Sequence, residues 1–137
     1  MFSHIFVSVT DFDRAFRFYS AVMFELGHEL RFHDASRPWA GWHSQGRARP
    51  YLVICKPHDG NSHHPGNGQM VAFLAPSHEV VRSVHAIALA NGGTCEGPPG
   101  PRPQYHEHYY GAYFRDLDGN TYCVACHVPK SNAPSAA

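Results

Sequence analysis

One pattern occurs twice in this chain of 137 residues, and it limits the fold more than any other feature. Residues 4–13 (HIFVSVTDFD) and residues 70–79 (MVAFLAPSHE) each contain a short apolar run followed by polar residues that can begin a helix. An apolar run of this length is typical of a buried strand, and the polar residues after it are typical helix caps. The chain therefore reads as two related halves.

A helix with one buried face is expected after each of these runs. Thr10 or Asp11 can cap the first helix and Gly27 is placed to end it; its apolar positions are Phe12, Ala15, Phe16, Tyr19, Val22, Met23 and Leu26. Ser77 can cap the second helix and residues 91–93 (NGG) end it; its apolar positions are Val80, Val81, Val84, Ile87, Ala88 and Leu89.

Matching strand and turn signals follow each helix. In the first half they are residues 39–42, a turn at 44–47 and residues 51–55; in the second they are residues 109–114, a turn at 116–120 and residues 121–126. These landmarks predict an α+β fold of two βαβββ modules related by a pseudo-twofold axis, joined by the loop 56–69. The alternative is an unrelated α+β sandwich with two helices.

The totals exclude several classes of protein. Lys+Arg and Asp+Glu both number 11, so no basic surface indicates a nucleic-acid partner. No apolar run approaches the ~20 residues of a membrane span, and the first residues lack the features of a signal peptide. Four unevenly spaced cysteines, without such a signal, favour reduced thiols in the cytoplasm.

Three motifs carry a resemblance to a known family. Residues 4–19 are similar to an opening of His, apolar strand, Asp-x-x-Arg and Phe-Tyr; residues 66–73 are similar to Gly-x-Gly-x-His-apolar-Ala-Phe, with Met70 in the histidine position; residues 115–120 are similar to a closing Asp-Pro-Asp-Gly-Asn turn. The chain thus resembles the vicinal oxygen chelate superfamily, which contains glyoxalases, bleomycin-resistance proteins and extradiol dioxygenases, and within it a glyoxalase-like subgroup. The resemblance covers residues 1–128, with modules at 1–57 and 68–128 and a flexible tail at 129–137.

The resemblance implies mixed, curled sheets that form a cavity, with a divalent metal held by the first and last strands of each module. The corresponding positions here are His4, Leu52, Met70 and Cys123. Leu52 has no donor atom, Met70 has a thioether and thiolate suits Mg or Mn poorly. We therefore expect no tightly bound cofactor, although His4 and Cys123 are candidate ligands for a divalent metal.

A proline-rich segment, residues 96–110, is expected to lie as a loop over the second half of the cavity. Arg102 can bind an anionic group through two hydrogen bonds, and Tyr105 and Tyr109 offer aromatic faces. Together with Met70 they form the predicted substrate-binding set. His4 and His106 are the candidate catalytic residues, since imidazole titrates near neutral pH.

Other notable residues have simpler interpretations. Cys123 and Cys126, and likewise Trp39 and Trp42, are three apart on strands, so each pair should have its members on opposite faces. The histidines at 58, 63 and 64 lie in a linker without fixed geometry, where adventitious metal binding is the interpretation.

Two functions remain open. One is a glyoxalase-like protein that binds a small carbonyl-bearing or aromatic molecule, neutral or anionic, and whose metal site has lost ligands. The alternative is a metal-dependent lyase or dioxygenase of the same superfamily, similar to lactoylglutathione lyase. Whether the chain is an enzyme stays undecided. The resemblance also implies a homodimer, because relatives commonly pair modules from two chains.

Overall fold

Two four-stranded sheets and two helices make up the protein, in a computed structural model that describes residues 1–130. The elements are β1 (His4–Ser8), α1 (Phe12–Leu26), β2 (Glu29–Asp34), β3 (Trp39–His43), β4 (Tyr51–Cys55), β5 (Val71–Leu74), α2 (His78–Ala90), β6 (Thr94–Pro101), β7 (Tyr110–Arg115) and β8 (Thr121–Cys126). The strand orders are β1-β4-β3-β2 and β5-β8-β7-β6. The predicted pair of βαβββ modules is confirmed.

Each sheet is mixed in the same way. The first strand of each module pairs in parallel with its last strand, β1 with β4 and β5 with β8, and the other pairings are antiparallel. A parallel pairing needs a long crossover connection, which the helix and two strands of each module provide.

The predicted caps define the first helix. Asp11 accepts a hydrogen bond from the backbone N–H of Arg14 at 3.2 Å, and Gly27 adopts φ 82°, the left-handed conformation that glycine takes without strain. The predicted apolar face is mostly correct, but it missed Phe18, which is 1% exposed and packs on the second module.

The second helix follows its prediction less closely. Ser77 caps it by accepting from the N–H of Val80. His85 is buried and was not expected to be, whereas Leu89 was expected in the core and is exposed. The imidazole of His85 contacts the thiol of Cys95 at 3.3 Å, so the polar ring has a partner.

The two modules pack through their helix-covered sides. α1 contacts α2, and rings from α1 reach the second sheet, with Phe18 against Phe114 and Tyr19 against Tyr122. Trp42 of the first sheet also stacks near Tyr19. One continuous core therefore lies between the sheets, and the opposite face of each sheet points away from it.

The proline-rich segment differs from its prediction. Residues 94–101, including Pro98, Pro99 and Pro101, form strand β6 at the sheet edge, with register shifts along its pairing to β7. Edge strands and bulges tolerate proline because its missing N–H faces away from the ladder. The loop is thus confined to residues 102–109.

No helix in the part of the chain that the structure describes combines the length and apolar character needed to cross a membrane. The predicted tail at 129–137 falls mostly outside the described residues.

Candidate functional site

Strand alternation divides the first sheet into a core face and an outward face. On β1, Ile5 and Val7 pack against the core, whereas His4, Phe6 and Ser8 lie on the opposite side. Phe6 is 53% exposed, although a phenylalanine in a strand is usually covered. The first sheet therefore presents an apolar outward face beside His4.

The second sheet has an equivalent outward face. Leu74 on β5 is 69% exposed, and Met70, just before that strand, is 48% exposed. Ala72 pairs with Cys123, and Cys123 pairs with Tyr113, so these three residues share the face. Cys126 lies on the core side, which confirms that the two thiols of the C-x-x-C sequence lie on opposite faces.

Register corrects one of the predicted positions. Phe6 pairs with Val53 in the first module as Ala72 pairs with Cys123 in the second. Val53 is therefore the equivalent of Cys123. Leu52, predicted for that position, lies on the core side. The prediction was wrong by one residue. Residues 51–55 are all apolar and show no alternation that would distinguish the core face from the outward face.

A phenol covers the thiol of Cys123. The hydroxyl of Tyr109 lies 3.3 Å from the Cys123 sulfur and 3.0 Å from the hydroxyl of Tyr113. Cys123 is fully buried, and this burial raises the pKa of its thiol, against the smaller opposing effect of hydrogen bonds from the two phenols. The thiol therefore stays protonated near neutral pH.

The 102–109 loop closes on itself above this group. Arg102 donates to the carbonyl oxygens of Pro98 and Pro101, and its guanidinium lies 5.7 Å from the Tyr113 ring centre. Nε2 of His106 lies 2.8 Å from Nδ1 of His127. Tyr105 packs on Tyr109 and is 62% exposed, so part of the aromatic surface remains accessible.

His4 stands apart from these groups. Its Nδ1 lies 2.9 Å from the hydroxyl of Ser3, and its ring meets Phe6 edge-on. Within residues 1–130 of one chain, no hydrogen bond or ring contact joins His4 to Cys123 or to the 102–109 loop. The predicted site residues therefore form two groups on two different sheet faces, one with His4 and one with Cys123.

Met70 is in neither of these two groups. It lines a largely apolar cavity of about 580 Å³ at the junction of β1 and β5, together with Ile5, Trp42 and Phe73. His28 also lines this cavity, and burial, with a smaller effect of His43, lowers the pKa of its imidazole.

Sequence reasoning missed Tyr113 and His127. Tyr113 was readable in principle, because Tyr109, Gly111 and Tyr113 follow the two-residue period of a strand face. His127 follows the last strand, where no pattern marked it.

The four positions that correspond to the family's metal ligands carry an imidazole, an alkyl group, a thioether and a thiol. Among the described residues, no three His, Cys, Asp or Glu side chains lie close enough together to hold an ion. Catalytic zinc sites usually have three protein ligands, and thiol and thioether suit harder ions poorly. Of these four groups, the imidazole of His4 and the thiol of Cys123 are the candidate donors for a divalent metal.

Two α+β modules of the same topology define the class of fold, and comparison with known proteins identifies the family. The model of the Glyoxalase/Bleomycin resistance protein/Dioxygenase superfamily matches residues 1–124. The chain belongs to this superfamily, the vicinal oxygen chelate group.

Solved structures agree. A glyoxalase/bleomycin resistance protein from Albidiferax ferrireducens T118 is 36% identical, with a TM-score of 0.82 over 92% of this chain and 98% of that one. A glyoxalase/bleomycin resistance protein/dioxygenase family enzyme from Burkholderia phytofirmans PsJN is 17% identical, with a TM-score of 0.67 over 92% and 98%. The fosfomycin resistance protein FosX from Listeria monocytogenes is 19% identical, with a TM-score of 0.66 over 93% of each chain. The last two show likeness of fold alone, and no curated protein matches the chain.

Proposed function

We propose that this protein binds a small carbonyl-bearing or aromatic molecule without a resident metal, in a cavity completed by a second copy of the chain. The observation that carries the proposal is the Tyr109–Cys123 contact of 3.3 Å. The family resemblance implies a metal-binding side chain at the position of Cys123. Here that residue has a buried, neutral thiol, and the phenol of Tyr109 covers it.

The cavity in this proposal combines the two groups of residues, the one with His4 and the one with Cys123. Each chain presents one outward face with His4 and Phe6 and another with Leu74 and the Tyr109 group, and both carry exposed apolar side chains. Pairing the first face of one chain with the second face of its partner covers these side chains and brings His4 toward the 102–109 loop. A homodimer of two equivalent cavities follows, and we place it in the cytoplasm, where its cysteines stay reduced.

The residues then have distinct roles. His4 supplies an imidazole that can donate to or accept from a ligand oxygen. Tyr105, Tyr109 and Met70 supply apolar and aromatic contacts, a usual composition for a small-molecule site. The donors of Arg102 are partly used by backbone carbonyls, so its contribution to an anionic ligand is smaller than its charge suggests. His106 acts through its pairing with His127.

A metal-dependent lyase or dioxygenase remains the second candidate, because His4 keeps the family's first ligand. A FosX mutant was solved with Mn(II) and 1S,2S-dihydroxypropylphosphonic acid. The metal in that structure belongs to FosX, and it supports the second candidate only through the shared fold.

Thermal shift with 4-hydroxyacetophenone tests the proposal, using tag-free protein without added metal. A ligand at ~100 times its Kd adds about 2.7 kcal/mol to the free energy of unfolding. We expect this stabilisation in the wild type and in His108→Ala, which removes an exposed histidine of the same loop. The double variant His4→Ala/Tyr109→Ala should lose it. Equal stabilisation of the double variant, or stabilisation that requires a divalent metal, contradicts the proposal.

A further inference from the structure

A second cavity, of about 510 Å³, lies on the outward face of the first sheet, at the far end of β1 from His4. Its walls come from Phe6, Ser8, Pro38, Trp39, Cys55 and Pro57, and its polar rim from Arg37, Lys56 and His58. No acidic side chain of residues 1–130 lines it. The cavity therefore combines apolar walls with an excess of positive charge.

The guanidinium of Arg37 is held in place without using its donors. It stacks on the indole of Trp39, with 3.5 Å from its carbon to the ring centre. That indole also contacts the ring of Phe32, at 4.6 Å between ring centres. Among residues 1–130, the Arg37 side chain donates to no protein acceptor and forms no ion pair within 4.0 Å. A stacked guanidinium with free edges is already oriented for two parallel hydrogen bonds.

The carboxyl of Asp34 forms its side-chain hydrogen bonds with Ser36 and no ion pair with Arg37. Asp34 accepts hydrogen bonds from the backbone N–H and the hydroxyl of Ser36, and these bonds are the main reason that the pKa of its carboxyl is lowered. Arg37 has a minor effect on that pKa. Arg37 also opposes the rise in pKa that burial causes at the Cys55 thiol, so its charge acts into the cavity.

We propose that this cavity binds the carboxylate of an organic molecule, with Arg37 as a bidentate donor, Lys56 as a second positive charge and Phe6 against the apolar part. The planar guanidinium matches a planar carboxylate, and the apolar walls favour an organic anion over a small inorganic one. The cavity is on the same face as His4, so the inference rests on the proposed function and specifies its ligand: the anionic end binds at Arg37.

Isothermal titration with benzoate, its neutral analogue benzamide and inorganic phosphate tests this proposal on full-length protein. Benzoate should bind at least ~10-fold more tightly than benzamide or phosphate, since loss of one charge-assisted bidentate pair weakens binding by that order. Arg37→Ala and Lys56→Gln should weaken benzoate binding by a similar factor, and Arg37→Lys should restore only part of it.

The matched control is Arg49→Ala. Arg49 is also an arginine stacked on an aromatic ring, 4.1 Å from the Tyr51 ring centre, and it does not line this cavity. The Arg49→Ala variant should bind benzoate as tightly as the wild type does. Circular dichroism of each variant distinguishes lost binding from lost folding, and a folded Arg37→Lys carries the test if Arg37→Ala unfolds.

Two results would overturn the inference: benzoate binding unchanged in folded Arg37 variants, or benzamide or phosphate binding as tightly as benzoate. The double variant His4→Ala/Tyr109→Ala separates this inference from the proposed function. If that variant still binds benzoate and Arg37→Ala does not, the anion site stands and the Tyr109 site fails.

Discussion

The phenol of Tyr19 in α1 donates a 2.5 Å hydrogen bond to the buried carboxylate of Asp116, in the turn between β7 and β8. The hydroxyl of Tyr122 lies 2.6 Å from that of Tyr19, and Asp116 also accepts from the backbone N–H of Asp118 and Asn120. Burial raises the pKa of both phenols, so they remain protonated. A polar network in the core therefore connects the two modules.

Removing the Tyr19 hydroxyl should loosen this connection. Tyr19→Phe leaves a buried carboxylate oxygen with one hydrogen bond fewer, and we expect a loss of about 1–3 kcal/mol in the free energy of unfolding, measured with urea. Tyr110→Phe is the control, because its hydroxyl bonds to Arg82 at the surface and should cost less than ~0.5 kcal/mol. Equal effects of the two substitutions would refute a special role for the network.

Stability should fall as the solution becomes acidic. Burial lowers the pKa of His85 and of His28 below the ordinary value near 6.5. The unfolded chain then binds protons that the folded chain does not, so the stabilisation is complete above pH ~6.5 and is lost as the pH falls through the folded values.

Urea unfolding at a series of pH values between 7 and 5 measures this effect. His85→Gln should flatten the decline, whereas His108→Gln, at an exposed histidine, should leave the slope unchanged. A free energy of unfolding of the wild type that rises toward pH 5 would contradict this explanation.

Tyr109 should control access to Cys123. A maleimide reagent followed by peptide mapping should label the exposed Cys95 in the wild type and leave Cys123 and Cys126 unlabelled. Tyr109→Ala removes the covering ring, so Cys123 should become labelled while Cys126, on the core side, stays protected. Labelling of both thiols would indicate general unfolding, and labelling of neither would mean that Tyr109 is not the cover.

A charge on an outward sheet face should disrupt the proposed dimer. Light scattering should give twice the chain mass for the wild type at micromolar concentration, and Phe6→Glu or Leu74→Glu should shift it toward the monomer because a carboxylate opposes burial. Phe24→Glu is the control: Phe24 is 82% exposed, but it lies on α1. A wild-type monomer would contradict the cavity as proposed.

The fold was readable from the sequence because local signals agreed with it. Asp11 and Ser77 begin their helices through local side-chain hydrogen bonds, and Gly27 ends the first helix through its backbone conformation. The 116–120 turn lies between two strand-like runs, so each of these features could be placed without knowing its neighbours in space. The edge strand through Pro98 could not be placed from the sequence, because proline discourages a strand unless the side of the backbone that lacks the N–H faces away from the neighbouring strand. That orientation depends on which side of the strand pairs with its neighbour in the sheet.

The site was only half readable. Motif positions located His4, Met70 and Cys123, but the face of Leu52 depended on register, and residues 51–55 are apolar without alternation. The cover over Cys123 depends on where a loop returns in space. The stacking of Arg37 on Trp39 was equally hidden, because it joins a turn residue to a strand whose partners the sequence does not specify.

Elemental analysis of tag-free protein, purified without a nickel column and dialysed against Mn²⁺ or Zn²⁺ before desalting, tests the central claim most directly. The donor set of one imidazole, one thioether, one buried thiol and one alkyl group predicts well under ~0.1 equivalent of metal per chain, and no change on His4→Ala. Retention of about one equivalent per chain that is lost on His4→Ala would contradict a metal-free site and favour the lyase or dioxygenase alternative.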